Sequence, residues 1–184
     1  MLTEREYLVK ESFSNALKEI LLDKKFEDVT VTDIIDVSGL SRSTFYRHFQ
    51  DKYELANWHF TLLSDLFAEC EYSSAEMGSE NIVKIIRHIE EDRLLYRQLL
   101  QYRGQNSLDE HYIKSSIQIA RDIYKRAGKT LSLREQYIIR YHAGGLLSVI
   151  RKWLESEDPM SWEKVGELVN ANRNNLIKAI YTWH

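Results

Sequence analysis

The chain is poor in the residues that punctuate and staple small folds. Its 184 residues include one proline, one cysteine and seven glycines. So few turn formers exclude a strand-dense, turn-dense architecture and point to long helices with few connections. A lone thiol, Cys70, excludes an internal disulfide framework and suits a reducing compartment. No apolar run reaches the roughly 18 residues of a membrane helix, and the opening Met1–Glu6 lacks the basic and apolar regions of a secretory signal. The expectation is a cytoplasmic protein with no membrane partner.

Catalytic vocabulary is missing too. There is no glycine-rich phosphate loop, no Gly-x-Ser-x-Gly elbow and no glycosidase-like carboxylate signature. The six histidines, His48, His59, His88, His111, His142 and His184, never stand at the three- or four-residue spacing of a helical metal pair. Neither catalytic nor metal-binding residues are expected, no cofactor is called for, and an enzyme is the weaker reading. Charge of one sign is also scarce. The net charge of −3 excludes a chain that simply coats nucleic acid. Residues 1–60 carry eight Lys/Arg against eleven Asp/Glu, and residues 61–184 carry 17 of each. A phosphate-binding surface must therefore be local, and one stretch qualifies. From Ser41 to Lys52 the cations Arg42, Arg47 and Lys52, with titratable His48, face a single acid, Asp51.

What is present reads as helices. Thr3-x-x-Glu6 is a capping box opening a helix to about Lys24, with Leu8, Phe13, Leu17, Ile20 and Leu21 roughly on one stripe. Thr30-x-x-Asp33 starts a short helix that stops at Ser38-Gly39, where glycine can turn left-handed. Ser41 caps a third helix from Arg42 to His48. Asp51-x-x-Glu54 opens a long helix to about residue 71, carrying Leu55, Trp58, Leu62, Leu66 and Cys70 at helical spacing. Ser73-Ser74 and Gly78-Ser79 mark a loop. Helices are then expected at about Asn81–Glu91, Leu94–Tyr102, from Ser107 to Gly128, from Ser132-x-x-Glu135 to about Glu155, and from Ser161 to the C-terminus. The fold class is all-α, with about nine helices in two parts, residues 1–50 and 51–184.

Residues Thr30 to Lys52 thus read as helix, tight glycine turn, helix and a capped further helix. This is helix-turn-helix geometry, in which the second helix projects its N-terminal side chains into a DNA major groove. Arg42, Ser43 and Thr44 occupy that first turn, where side chains reach base edges and phosphates. Phe45 and Phe49, four apart on the opposite stripe, would anchor the helix on a core with Phe13, Leu17 and Ile34. Tyr46, Arg47 and His48 fan across the remaining arc. Taken alone they could be ordinary surface residues of a helical bundle. Lys52 stands where a phosphate chain should pass.

At these residues the sequence resembles the tetracycline-repressor (TetR) family of bacterial regulators. The matching words are Val29-Thr30-Val31-Thr32-Asp33-Ile34, Ser38-Gly39-Leu40-Ser41, Ser43-Thr44-Phe45-Tyr46-Arg47-His48-Phe49 and Asp51-Lys52-Tyr53-Glu54-Leu55, ungapped within residues 5–60. The short length and Trp58 add a more distant likeness to regulators of dihydroxyacetone-kinase operons. The resemblance implies an N-terminal helix-turn-helix DNA-binding domain and a C-terminal ligand-binding and dimerisation domain. It also implies phosphate contacts from Thr30, Thr44, Tyr46, His48 and Lys52, and groove-facing roles for Thr32, Arg42, Ser43 and Arg47, with Ser41 capping the reading helix. The family usually has a small alanine where Ile35 stands, and often another at Ser38. The bulkier Ile35 should alter how the second and third helices pack.

The last two helices carry apolar stripes. One holds Tyr137, Tyr141, Leu146 or Leu147, Ile150, Trp153 and Leu154, interrupted by Gly144-Gly145. The other holds Val165, Val169, Asn172, Leu176, Ile180 and Trp183. Such stripes are either monomer core or a four-helix interface between two copies. The resemblance favours the interface, with Tyr141, Leu146, Ile150, Trp153, Val165, Val169, Asn172, Leu176 and Ile180 as its members. For a small-molecule effector the middle helices offer Tyr96, Tyr102, His111 and Arg140, the last suited to a carboxylate or phosphate. His88, Arg103, Tyr112 and His142 are further polar groups there. The expected partners are a palindromic double-stranded operator, a second copy of the chain and that effector, whose binding would tilt the helix at 51–71. The rival reading is an adaptor of the same fold working through protein contacts, which the acidic balance of residues 1–60 would suit.

Overall fold

The computed structural model describes the backbone of residues 3–58, 75–102 and 106–181, and side chains within these up to residue 172 except for 75–81. The described elements are helices α1 (Glu4–Ile20), α2 (Val31–Ser38), α3 (Arg42–His48), α4 (from residue 52, described to 58), α5 (Ala75–Glu91), α6 (Arg93–Gln101), α7 (Leu108–Arg126), α8 (Leu133–Glu155) and α9 (Trp162–Tyr181). A single 3-10 turn, Phe26–Asp28, interrupts the run. No strand occurs among the described residues, so the fold is all-α. No described helix is long and apolar enough to cross a membrane.

Contacts divide the chain into two compact units, Met1–Thr61 with Leu94–Leu108, and Leu62–Arg93 with Asp109–His184. The sequence reading placed everything after residue 50 together. By contact α6 instead joins the N-terminal helices, because its polar side chains bond the connection between α1 and α2.

In the first unit, α1 begins at the capping box of Thr3 and Glu6. It ends at Ile20, short of the expected Lys24, since Leu21–Lys24 tighten into turns. The capping box of Thr30 and Asp33 opens α2, and Gly39, at φ 67°, closes it in the left-handed region that only glycine enters without strain. Ser41 caps α3 by accepting from the Thr44 amide at 3.1 Å. Phe13, Phe45 and Phe49 meet beneath α3, with Phe13–Phe45 centroids 5.2 Å apart and nearly perpendicular. Phe13 and Phe45 are fully buried. Each such ring contributes about 1.5–3 kcal/mol by burial, so α3 is bound to the core along one stripe. Ile35 is half-buried on α2.

In the second unit, α5 starts at Ala75, so Gly78 and Ser79 lie within a helix rather than the expected loop. A glycine inside a helix costs only about 1 kcal/mol, a penalty that packing overrides. Helices α5 and α9 lie side by side, and a Cβ at Gly166 would stand 3.5 Å from Val83. The capping box of Ser132 and Glu135 opens α8. Arg151 donates to both oxygens of Asp109 at 2.7 and 2.8 Å, joining α8 to α7.

Candidate nucleic-acid interface

The outward arc of α3 is assembled by its own cap and by α2. Ser41 Oγ lies 2.9 Å from Ser43 Oγ and 2.8 Å from Thr44 Oγ1, a chain of hydroxyls at the helix start. Arg42 donates from Nη2 to Thr32 Oγ1 at 2.8 Å, so α2 orients the guanidinium. Ser41, Arg42, Ser43, Tyr46 and Arg47 are exposed, while Thr44 and His48 are half-buried. Tyr46 is 51% exposed, with its ring edge-on to buried Phe45 at 5.5 Å. Thr30 and Thr32 are exposed on α2, and the Thr30 hydroxyl donates to Asp33 at 2.8 Å. The Lys24 ammonium, 2.6 Å from Asp33, and then the Thr30 amide hold that carboxyl's pKa at about 2. Of the ten side chains of the sequence reading, nine stand on α2, α3 or their caps, seven exposed and two half-buried.

Lys52 is the correction. It is buried, and its Nζ donates to the carbonyls of Phe26, Glu27 and Val29, each at 2.8 Å. The ammonium also lies 5.0 Å from the Phe26 ring and 5.2 Å from the Tyr53 ring. Burial pulls its pKa down, opposed by the charges of Asp28 and Glu27. All three donors of the ammonium are engaged, so Lys52 closes the 3-10 turn and is not free to meet a phosphate.

Gln98 of α6 grips the same connection from another side. Its Nε2 donates to Leu21 O at 2.8 Å, and its Oε1 accepts from the Phe26 amide at 2.9 Å. Tyr102 stacks on Tyr53 at 5.2 Å and meets Phe26 edge-on. A hydrogen bond with Tyr102, then burial, pushes the Tyr53 phenol up to about 12. Lys10 reaches over the rings of Phe49 and Trp58, at 5.0 and 5.7 Å. Sequence reasoning missed both Gln98 and Lys10. Gln98 carries no local signal, because its partners stand more than 70 positions away.

The other expected sites fare differently. Ile150, Trp153, Val165 and Val169 are buried within one chain and so cannot present an apolar stripe to another copy. They face the neighbouring helices of their own unit, where α9 meets α5 and α8. Leu146 is half-buried, Asn172 is exposed, and Tyr141 is 78% exposed. The side chains of Leu176, Ile180 and Trp183 lie outside the described residues, as do Cys70, Arg103 and residues 59–71, where the sequence reading expected a helix to continue. The effector candidates divide between the two units. Tyr96 and Tyr102 belong to the first unit, His111 and Arg140 to the second. Tyr96 is fully buried, whereas Arg140 is exposed. Burial, then Lys114, lowers the pKa of half-buried His111, and burial lowers that of His142. His88 is half-buried and Tyr112 buried.

A glycine-capped turn holding a short helix with a buried phenylalanine stripe and an exposed polar arc defines a helix-turn-helix transcriptional regulator. Residues 15–57 match the family model described as bacterial regulatory proteins, tetR family. Residues 78–174, just over half of the chain, match the model of its transcriptional regulator C-terminal region. The chain belongs to the TetR family of transcriptional regulators.

Among its relatives is the HTH-type dhaKLM operon transcriptional activator DhaS of Lactococcus lactis, 22% identical over 157 residues that cover 81% of each chain. A solved structure titled dihydroxyacetone kinase operon activator DhaS shares the fold at a TM-score of 0.60 and 20% identity, covering 94% of this chain and 98% of that one. A TetR transcriptional regulator from Streptococcus agalactiae aligns at 0.58 and 20% identity, over 92% and 95% of the two chains.

Proposed function

We propose that this regulator binds a roughly palindromic double-stranded operator as a homodimer, with its affinity set by a small ligand. Arg42 carries the reading. It is exposed in the first turn of α3 and held by Thr32, three residues ahead of buried Phe45. In this proposal Arg42, Ser43, Thr32 and Arg47 address the groove, and Thr30, Ser41, Thr44, Tyr46 and His48 address the backbone. Two copies would place their reading helices about 34–36 Å apart, in successive major grooves. The dimer surface shifts to what one chain leaves open. On α8 these are Leu133, Tyr137 and Tyr141, each more than 60% exposed, followed by Gly144 and Gly145, where an added Cβ would meet nothing within 4 Å. Leu168 and Asn172 extend the surface onto α9. A ligand controls such a dimer only by preferring one of its states.

The test is selection of bound duplexes from a random pool with the parent protein. An enriched motif with two-fold symmetry is expected. A pool that stays random removes the operator reading and leaves an adaptor acting through protein contacts.

A further inference from the structure

One strongly charged region shares only Arg140 with the effector candidates above. Residues 114–140 hold seven Lys/Arg against two Asp/Glu, in a chain whose net charge is −3. Both acids are engaged within the unit. Glu135 closes the cap with Ser132 and accepts from the Tyr124 hydroxyl at 2.7 Å, and Asp122 accepts from the Gln118 amide at 3.0 Å. These bonds come from neutral donors and leave both carboxylates charged, and seven cations against two acids still give the stretch a net charge of +5.

Part of it lines a cleft of about 430 Å³ between α7 and α8. Lys114 and Arg121 stand seven apart on α7, two helical turns along one face, and Arg140 approaches from α8. Among the described residues no carboxylate lines the cleft. Ile117, 7% exposed, forms an apolar floor continuous with Ala120, Leu131 and Ile139. Gln136 Oε1 accepts from Arg121 Nη2 at 3.0 Å and so fixes that guanidinium across the helix pair. Lys114 has a 3.6 Å pairing with Glu110, exposed on both sides, and a surface pair of this kind is worth little. Arg140 is exposed and has no hydrogen bond or ion pair among the described residues.

Three like charges around one apolar floor repel each other, and a bound anion removes that repulsion. Guanidinium groups meet carboxylate and phosphate in a bidentate fashion, and a second cation favours a ligand of charge −2 or more. The volume is that of a small-molecule site rather than of a polymer track. We propose that the α7–α8 cleft binds a small multivalent oxyanion, one bearing at least two phosphate or carboxylate charges. This site is independent of the operator reading, since it lies on the second unit and its test uses no DNA.

The experiment is calorimetric titration and thermal unfolding of the full chain with inorganic phosphate and with citrate, against chloride at matched ionic strength. Saturable binding of at least one multivalent anion is expected, with a rise in Tm that chloride does not reproduce. Preference for phosphate or for citrate identifies the headgroup. The pair R121Q/R140Q should lower affinity by about tenfold or more, R140K should lose part of it, and K125Q/K129Q, outside the cleft, should leave it unchanged. Circular dichroism of each variant separates lost binding from lost fold. No saturable binding of either anion, equal binding by R121Q/R140Q, or equal loss in K125Q/K129Q would each overturn the proposal.

Discussion

Two polar regions of the first unit use the same residue chemistry in opposite directions. At the connection between α1 and α2, Lys52 and Gln98 turn their polar atoms inward and saturate backbone groups of residues 21–29. On α3, Arg42, Tyr46 and Arg47 turn theirs outward, and among the described residues only Arg42 of the three has a hydrogen-bond partner for its polar group. The inward set holds the connection together, and the outward set is the one we propose for recognition. A cation's place in the sequence does not reveal which set it joins, because Lys52 and Arg42 stand ten residues apart in the same motif.

This contrast is sharpest at Lys52. Replacing Lys52 by Met leaves three carbonyls without their buried donor, and should lower unfolding free energy by about 2–4 kcal/mol. Urea denaturation followed by circular dichroism measures it, and an unmoved midpoint would return Lys52 to the outward set. Gln98→Leu, of similar bulk, should cost about 1–3 kcal/mol, since it orphans the Phe26 amide and the Leu21 carbonyl. Equal stability of mutant and parent would show that α6 does not hold the connection.

Arg42→Ala should do the reverse. Its unfolding midpoint should match the parent's, while discrimination at one operator position relaxes by about 1–3 kcal/mol. Selected operator sequences that match the parent's would remove Arg42 from the reading role. The smallest effect concerns Asp33. Folding holds its pKa at about 2 against an ordinary 3.8, so its stabilising share is complete above 3.8 and disappears as pH falls through about 2. Asp33→Asn should therefore flatten the stability curve within that window. A curve parallel to the parent's throughout would contradict the Lys24 and Thr30 contacts.

Helix starts were legible because capping is a local pattern. Thr3 with Glu6, Thr30 with Asp33 and Ser132 with Glu135 all satisfy amides three residues away. The phenylalanine stripe under α3 was legible for the same reason, its members standing four apart. The turn at Phe26–Asp28 was not, since its carbonyls bond to a residue more than 20 positions on. Gly78 and Ser79 read as punctuation but lie inside α5, where tertiary packing outweighs propensity. Periodicity marked Ile150, Trp153, Val165 and Val169 as an apolar face. It carried no word on whether the covering helix comes from the same chain. The cations of α7 and α8 looked scattered in sequence, and only the pairing of the two helices brings them to one cleft.

The grip of Gln98 on Leu21 spans 77 positions, which bears on biosynthesis. A nascent chain that has exposed only its first 60 residues holds α1 to α3 and the start of α4 but lacks one of the clasps on their joint. The Gln98 clasp can close only after the segment around residue 100 has cleared the ribosome. A fragment made to end before α6 should accordingly emerge as a looser object than the same helices in the whole protein.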